Sequence, residues 1–385
     1  MWDAITSLKL TIVCLATLMV LVVACTLAQV HLGTWGAVDV YMRSWLVWWD
    51  IPGTVLSIPV FPGGALTGLV LAVNLISAQL RRLELSWKKS GLWIVHLGLI
   101  LLVAGEFITA GYQREHNLVF SNGQTVNFTS SPTKAELAVI DRSDARHDEV
   151  FSIPQSMLRP GRLVEVPDRP IAFRVKAFYP NSQVTRAERG MASAGFGPRI
   201  AAREIPPTSR DDERNMPAVL LERVGAKAGD APETWLLSTW IQDPQRFVHE
   251  GRTYDLVLRS EREYLPYALK LEKFSHDRYP GTNVPKNFSS AVRLTNPQTG
   301  EARDILIKMN QPLRYGGKTF YQSSFQGETT SILQVVENPG WLLPYLSCTL
   351  VAIGLLAHFG ISLGRWVRGR SGRRPSNEAS LEASP

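Results

Sequence analysis

The chain is almost without cysteine. Three occur in 385 residues, Cys14, Cys25 and Cys348, and all three lie in apolar runs. No CxxC is present, which excludes a redox dithiol of the thioredoxin kind, and no CxxCH is present, so the chain is not itself a c-type cytochrome. The polar middle of the chain has no cysteine and folds without disulfides. Self-sufficient catalytic signatures are also absent: there is no nucleophile elbow, P-loop, Rossmann glycine pattern or HExxH. Charge of one sign is not gathered into a block. The net charge is +7, yet Gln113–Gly340 holds 30 basic and 27 acidic residues, a surplus of only three. The other eleven basic residues lie in or beside apolar runs, against seven acids. That distribution excludes a nucleic-acid-binding patch and follows membrane topology instead.

Four apolar runs approach the roughly 20 residues that cross a bilayer. They are Leu10–Val30, Ala65–Leu80, Leu92–Ala110 and Leu342–Leu363. Arg81, Arg82, Lys88 and Lys89 separate the second from the third, and Arg365, Arg368, Arg370, Arg373 and Arg374 follow the fourth. His31–Gly64 has one cation, Arg43, against Asp39 and Asp50. By the positive-inside rule both termini are cytoplasmic and the region between the third and fourth runs is extracytoplasmic. The expected location is the plasma (inner) membrane, multi-pass, with a periplasmic domain. Val22-Val23-Ala24-Cys25 resembles a lipoprotein cleavage site, but the apolar run continues past Cys25, so an uncleaved anchor is expected. Trp35, Trp45, Trp48 and Trp49 lie in the first outer loop. They read as an aromatic belt at headgroup depth, or as a surface for a flat aromatic ligand.

From Asn117 to Glu337 apolar and polar residues alternate, as in Ile171–Phe178 and Thr319–Gln322, between turns rich in Gly, Pro and Asn. This is the pattern of an antiparallel sandwich or barrel. The fold expected is therefore a membrane protein of four transmembrane α-helices with a large extracytoplasmic all-β domain inserted between helices three and four. The expected boundaries are a membrane part at 1–111 (helices about 10–30, 65–80 and 92–110), a β-domain at 112–340, a fourth helix at 341–364 and a basic then polar tail at 365–385. Ala187–Asn215, rich in Arg, Pro and Gly, breaks the alternation and reads as a long exposed loop. An internal repeat links about 171–262 to about 268–336: Ala172-Phe-Arg-Val-Lys-Ala-Phe with Ala268-Leu-Lys-Leu-Glu-Lys-Phe, Met216–Arg223 with Ser289–Asn296, and Val248–Leu256 with Arg314–Gln322. The competing reading is that unrelated hairpins share the alternation.

His96 is the leading candidate for chemistry. It lies about five residues, or roughly 8 Å, into the third run, where a polar side chain is costly and usually faces a partner or cavity. Gly91, Gly98 and Gly105 recur every seven residues on the face opposite His96, and small residues let another helix approach. Trp93, Ile100 and Val103 share the His96 face. An imidazole in an apolar aromatic slot suits a haem ligand; a hydrogen bond to another helix is the equal alternative. Zinc fits less well, because no second ligand follows at i+3 or i+4. His358, seven residues before Arg365, is either a second haem ligand at similar depth or a packing group. Glu106 reads as a membrane-edge carboxylate. His31, His116, His147, His249 and His276 fall in outer loops or turns and read as solvated.

Several stretches together resemble one family. They are Ile58–Gln79, Trp93–Gly105, Phe288–Glu301, Ile307–Phe325 and Glu337–Phe359, and with the four-helix layout the chain is similar to the ResB family, the cytochrome c biogenesis proteins of system II. The resemblance implies a membrane complex with a multi-helix partner of the ResC/CcsA type. That pair moves haem b outward, as a transient, substrate-like cargo, and presents it to apocytochrome c for thioether attachment at CxxCH. It implies that His96 is an axial ligand of the haem iron, with the second imidazole supplied by the partner, and that the chain is not catalytic alone. Partners are then that membrane protein, apocytochrome c and the lipid bilayer, with no nucleic acid. The alternative is a structural membrane scaffold whose β-domain docks a periplasmic or respiratory partner without binding haem.

Overall fold

The computed structural model describes residues 2–51, 53–54, 56–82, 86–144, 147–210, 213–224, 233–282 and 285–371. Four helices among them are long and apolar enough to cross a membrane: Leu8–Tyr41, Gly64–Arg82, Ser90–Tyr112 and Leu343–Ser371. The first outlasts the apolar run that announces it. It passes through a break at Gly33, whose φ of 71° is a conformation glycine adopts without strain, and ends where the Met42 N–H bonds the Val38 carbonyl. The fourth runs on to Ser371, so the first residues of the expected tail are helical. The remainder, 372–385, lie outside the described residues.

By internal contacts the chain divides into two compact units, one within 1–30, 36–113 and 338–385, the other within 31–35 and 114–337. In the first unit the third and fourth helices meet along a glycine seam. Gly91, Gly98 and Gly105 are all buried. A Cβ on Gly91 would stand 2.4 Å from the His358 backbone nitrogen, one on Gly98 2.8 Å from Val351 Cγ2, and one on Gly105 3.0 Å from Leu343 Cβ. Gly354 answers from the other side, with its own Cβ position 2.7 Å from the Val95 nitrogen. Any side chain at these points would force the backbones apart. On the second helix the buried Asn74 is satisfied locally: it accepts from the Thr11 hydroxyl at 2.6 Å and donates to the Ile5 and Ser7 carbonyls. That arrangement avoids the cost of an unpaired amide in an apolar setting. Between the first two helices lies a hairpin, β1 (Leu46–Asp50) with β2 (Ser57–Pro62).

The second unit is all β. Its strands are β3 (Arg114–Ser121), β4 (Thr125–Asp141), β5 (Glu149–Pro154), β6 (Leu163–Glu165), β7 (Ala172–Tyr179), β8 (Ser182–Arg186), β9 (Ile200–Glu204), β10 (Ala218–Val224) and β11 (Thr234–Ser238). There follow β12 (Gln245–His249), β13 (Arg252–Arg278), β14 (Pro285–Asn296), β15 (Glu301–Lys308), β16 (Leu313–Tyr315), β17 (Lys318–Gln326) and β18 (Thr330–Glu337). Ten form one large sheet running β15-β14-β13-β4-β3-β18-β17-β16, with β12 and β5 attached to β13 and β4. Four form a second sheet, β11-β10-β7-β6. The long strands β4 and β13 serve two cores. One end closes over Phe173, Leu221, Trp235, Tyr254 and Leu256 between the two sheets. The other closes over Leu118, Phe120, Leu269, Leu294 and Phe320 within the curled large sheet. Each is a dry interior of the kind that dominates folding energy.

The two halves follow one path. β7, β10 and β11 form a meander, as do the second half of β13, β14 and β15. Each meander has a bulge in its first ladder, where Lys176 and Glu272 are skipped; these are the fifth residues of the two matching strings. Each half also contains a two-residue hairpin turn with positive φ at both positions, Glu250-Gly251 between β12 and β13 and Gly316-Gly317 between β16 and β17. Such turns match the twist of the strands they join. Tyr254 and Phe320, equivalent in the matched sequences, are both fully buried, one in each core. The pairing registers differ by two residues between the halves, which preserves the face each side chain takes.

The segment expected as a long loop is largely structured. β9 pairs with β8, and Ala192 and Ala202 are buried with Ala218 and Leu236 in a third, smaller cluster. The packing relies on small residues: a Cβ on Gly190 would meet the Gly197 carbonyl at 1.8 Å. Alanine and glycine give no alternating hydrophobic signal, which is why the sequence reads as loop. Residues 211–212 of that segment lie outside the described residues.

Candidate functional site

His96 sits on the third helix with its Nδ1 2.8 Å from the Leu92 carbonyl. A carbonyl only accepts, so Nδ1 carries the proton and Nε2 keeps the lone pair. The bond to the preceding turn also fixes the ring's rotation. Nε2 has no hydrogen-bond partner among the described residues. At 100° per residue His96 lies about 140–180° round the helix from Gly91, Gly98 and Gly105. The fourth helix covers the glycine face, so His96 presents the opposite one. Trp93, Ile100 and Val103 lie along that face and, like His96, are half-buried. The second helix touches the third nearby, through Gln79 Nε2 and the Trp93 carbonyl at 3.5 Å.

His358 is placed differently. Its backbone abuts Gly91, five residues before His96, and its Nδ1 is buried with no partner among the described residues. The structure does not bring the two imidazoles to one face of the third helix. Glu106 is exposed in the C-terminal half of that helix. Trp45, Trp48 and Trp49, on or beside β1, are 58%, 55% and 54% exposed.

Three of the histidines expected to be solvated are not. His276 stacks against both Phe274 and Phe325, with ring centroids 5.7 and 4.9 Å away, while its Nε2 meets Glu328 at 2.7 Å. His249 accepts from Arg223 through Nδ1 at 3.1 Å. His116 lies 3.7 Å from Glu263, and burial lowers its pKa although that carboxylate opposes the shift. Apart from Phe274, their partners are 26 to 147 residues distant in sequence, beyond the reach of local pattern. His147 is exposed as expected, and His31 is exposed but belongs to the first helix rather than to a loop.

Sequence reasoning missed Lys318. Its Nζ donates to Glu263 and Glu337, both at 2.8 Å, from a nearly buried position. Burial pulls its pKa down, but the two carboxylates outweigh it and hold the amine above its usual range. Beside it the Tyr267 hydroxyl is buried, and desolvation pushes it up to about 12. The signal available was position: Lys318 follows the Gly-Gly turn and precedes the core residue Phe320, on the inward-facing alternation. Among the described residues, no three His, Cys, Asp or Glu gather as a metal cluster.

A model of the ResB-like family matches residues 235–332, which run from β11 into β18. Protein NrfI of Wolinella succinogenes is 34% identical over 134 residues, 33% of this chain and 14% of that protein. The cytochrome c biogenesis proteins CcsB of a Synechococcus species and of Prochlorococcus marinus are 34% and 31% identical over 103 and 100 residues. These cover 27% and 26% of this chain and 22% of each relative. The chain thus spans between about a seventh and a fifth of the length of these curated relatives. Over residues 235–332 the chain is similar to the ResB-like family, and it joins that stretch to four apolar helices within one sequence.

Proposed function

We propose that this chain is a haem-handling subunit of a cytochrome c biogenesis complex. Its cargo is haem b, received within the membrane and presented on the outer side for thioether attachment to the CxxCH of apocytochrome c. A multi-helix membrane protein of the ResC/CcsA type completes the complex. The names of the CcsB relatives support the process, and the excess of cations beside the second, third and fourth helices supports cytoplasmic termini and an outer β-domain.

The observation that carries the reading is the orientation of His96. An imidazole within an apolar helix, its Nδ1 proton held by the Leu92 carbonyl, offers Nε2 as a donor of fixed tautomer and direction. The fourth helix lies on the other face, so Nε2 is available to an iron held between this chain and another subunit. Trp93, Ile100 and Val103 would form the apolar wall against the porphyrin. With one axial imidazole per subunit, haem is retained only when the complex is assembled. The test is to co-purify the chain with its multi-helix partner and measure haem as the pyridine haemochrome. His96→Ala is expected to lose most of the haem while Glu106→Gln keeps it; equal haem in the two variants overturns the assignment.

A further inference from the structure

The all-β unit contains a cleft of about 970 Å³ between the middle of the long strands and the segments 214–217 and 239–244. It forms because β4 leaves its ladder. Ala135 pairs with Ser260 and Ser130 with Arg262, so 131–134 stand opposite the single residue Glu261. The charge of the lining is one-sided: Lys134, Arg142, Arg214, Arg259 and Arg262 against Asp148. Two of the cations are already matched, Arg259 to the buried Glu136 at 2.8 Å and Arg142 to Asp255 at 2.8 Å. Lys134 and Arg262 have no carboxylate partner among the described residues. Arg262 is half-buried, stacked 4.0 Å over the Phe128 ring, and burial followed by the neighbouring Arg259 lowers its pKa. Glu136, already held by Arg259, and the Tyr264 hydroxyl offset this only in part, and a partly desolvated guanidinium with no ion-pair partner of its own favours an incoming anion.

The shape indicates which anion. Val119 and Tyr264, 43% and 51% exposed, flank the cations, so apolar surface stands beside cationic groups in the wall. β3 lies inside the large sheet, between β4 and β18, so the cleft is lined by side chains rather than by a free strand edge. The volume lies at the upper limit for small-molecule sites and has room for a short stretch of extended chain, whose carboxylates can meet the cations while its apolar side chains cover Val119 and Tyr264. We infer that the cleft binds an extended acidic segment of a partner polypeptide, with its carboxylates on Arg262 and Lys134. This does not rest on the haem reading.

The probe is a fluorescein-labelled decapeptide of alternating Glu and Val, titrated by anisotropy against the full chain in detergent. Binding is expected to weaken with salt and to fall about tenfold in Arg262→Gln and in Lys134→Gln, as for loss of one charge-assisted hydrogen bond. The Gln-Val peptide is expected not to bind, and Arg293→Gln, which breaks the remote pair with Asp304, and His96→Ala to leave affinity unchanged. Should Arg262→Gln misfold, the exposed Lys134 carries the same test. No binding of the acidic peptide, unchanged affinity in the Lys134 variant, or equal competition by inorganic phosphate overturns the inference.

Discussion

Gly91 of the third helix and His358 of the fourth are in backbone contact: a methyl group on Gly91 would stand 2.4 Å from the His358 nitrogen. The spacing recurs at Gly98 and Gly105, so the two helices are held by close backbone approach rather than by interlocking side chains. This seam assigns the faces of the third helix and so the direction of His96.

Gly91→Val is expected to lower the thermal midpoint of the chain in detergent, at a cost above the 1–3 kcal/mol typical of overpacking. Gly111 lies on the same helix with nothing within 4 Å of its Cβ position, so Gly111→Val should be tolerated. Equal behaviour of the two in a melting experiment would count against the seam.

Arg259 and Glu136 form a nearly buried pair at 2.8 Å, with side chains 13% and 1% exposed. Arg259→Met would strand a buried carboxylate and is expected to cost about 3–5 kcal/mol. Adding Glu136→Leu should recover most of that loss. Chemical denaturation of both single variants and the double variant measures the coupling.

Four shifts set much of the pH dependence of the β unit. The His116 pKa is lowered by burial, so the stability its neutral form contributes is lost as pH falls below the usual 6.5. Glu337 is lowered first by its bond from Lys318, so its contribution, discounted because the group is 45% exposed, is lost below the usual 4.5. Lys318 is raised by the same carboxylates, and its contribution is lost as pH rises above the usual 10.5. Tyr267 is pushed by burial from the usual 10 up to about 12, so its contribution is lost as pH rises above 10, and maximal stability is expected between about 6.5 and 10. His116→Gln should flatten the decline from pH 6.5 to 5 while leaving the loss below 4.5, as read by thermal unfolding.

The sequence makes the membrane helices legible because a bilayer demands long apolar runs, and makes the His96 face legible because helix geometry is periodic. It also shows the paired strings at Ala172 and Ala268, whose strands carry matching bulges. It conceals what depends on distant partners. His276 is buried by Phe325, 49 residues on, and Lys318 by Glu263, 55 residues back. The β8–β9 hairpin was hidden because alanine and glycine, not alternating large residues, fill its packing. The cleft at Arg262 arises from a ladder interruption that no local pattern marks.

The most direct test of the central claim is the visible spectrum of the co-purified complex carrying His96→Gly, with and without added imidazole. The glycine leaves a space for the missing ring. The account requires loss of the low-spin haem bands in the variant and their return when imidazole is added. A spectrum identical to that of the native complex, before any imidazole, would remove His96 from the haem and contradict the account.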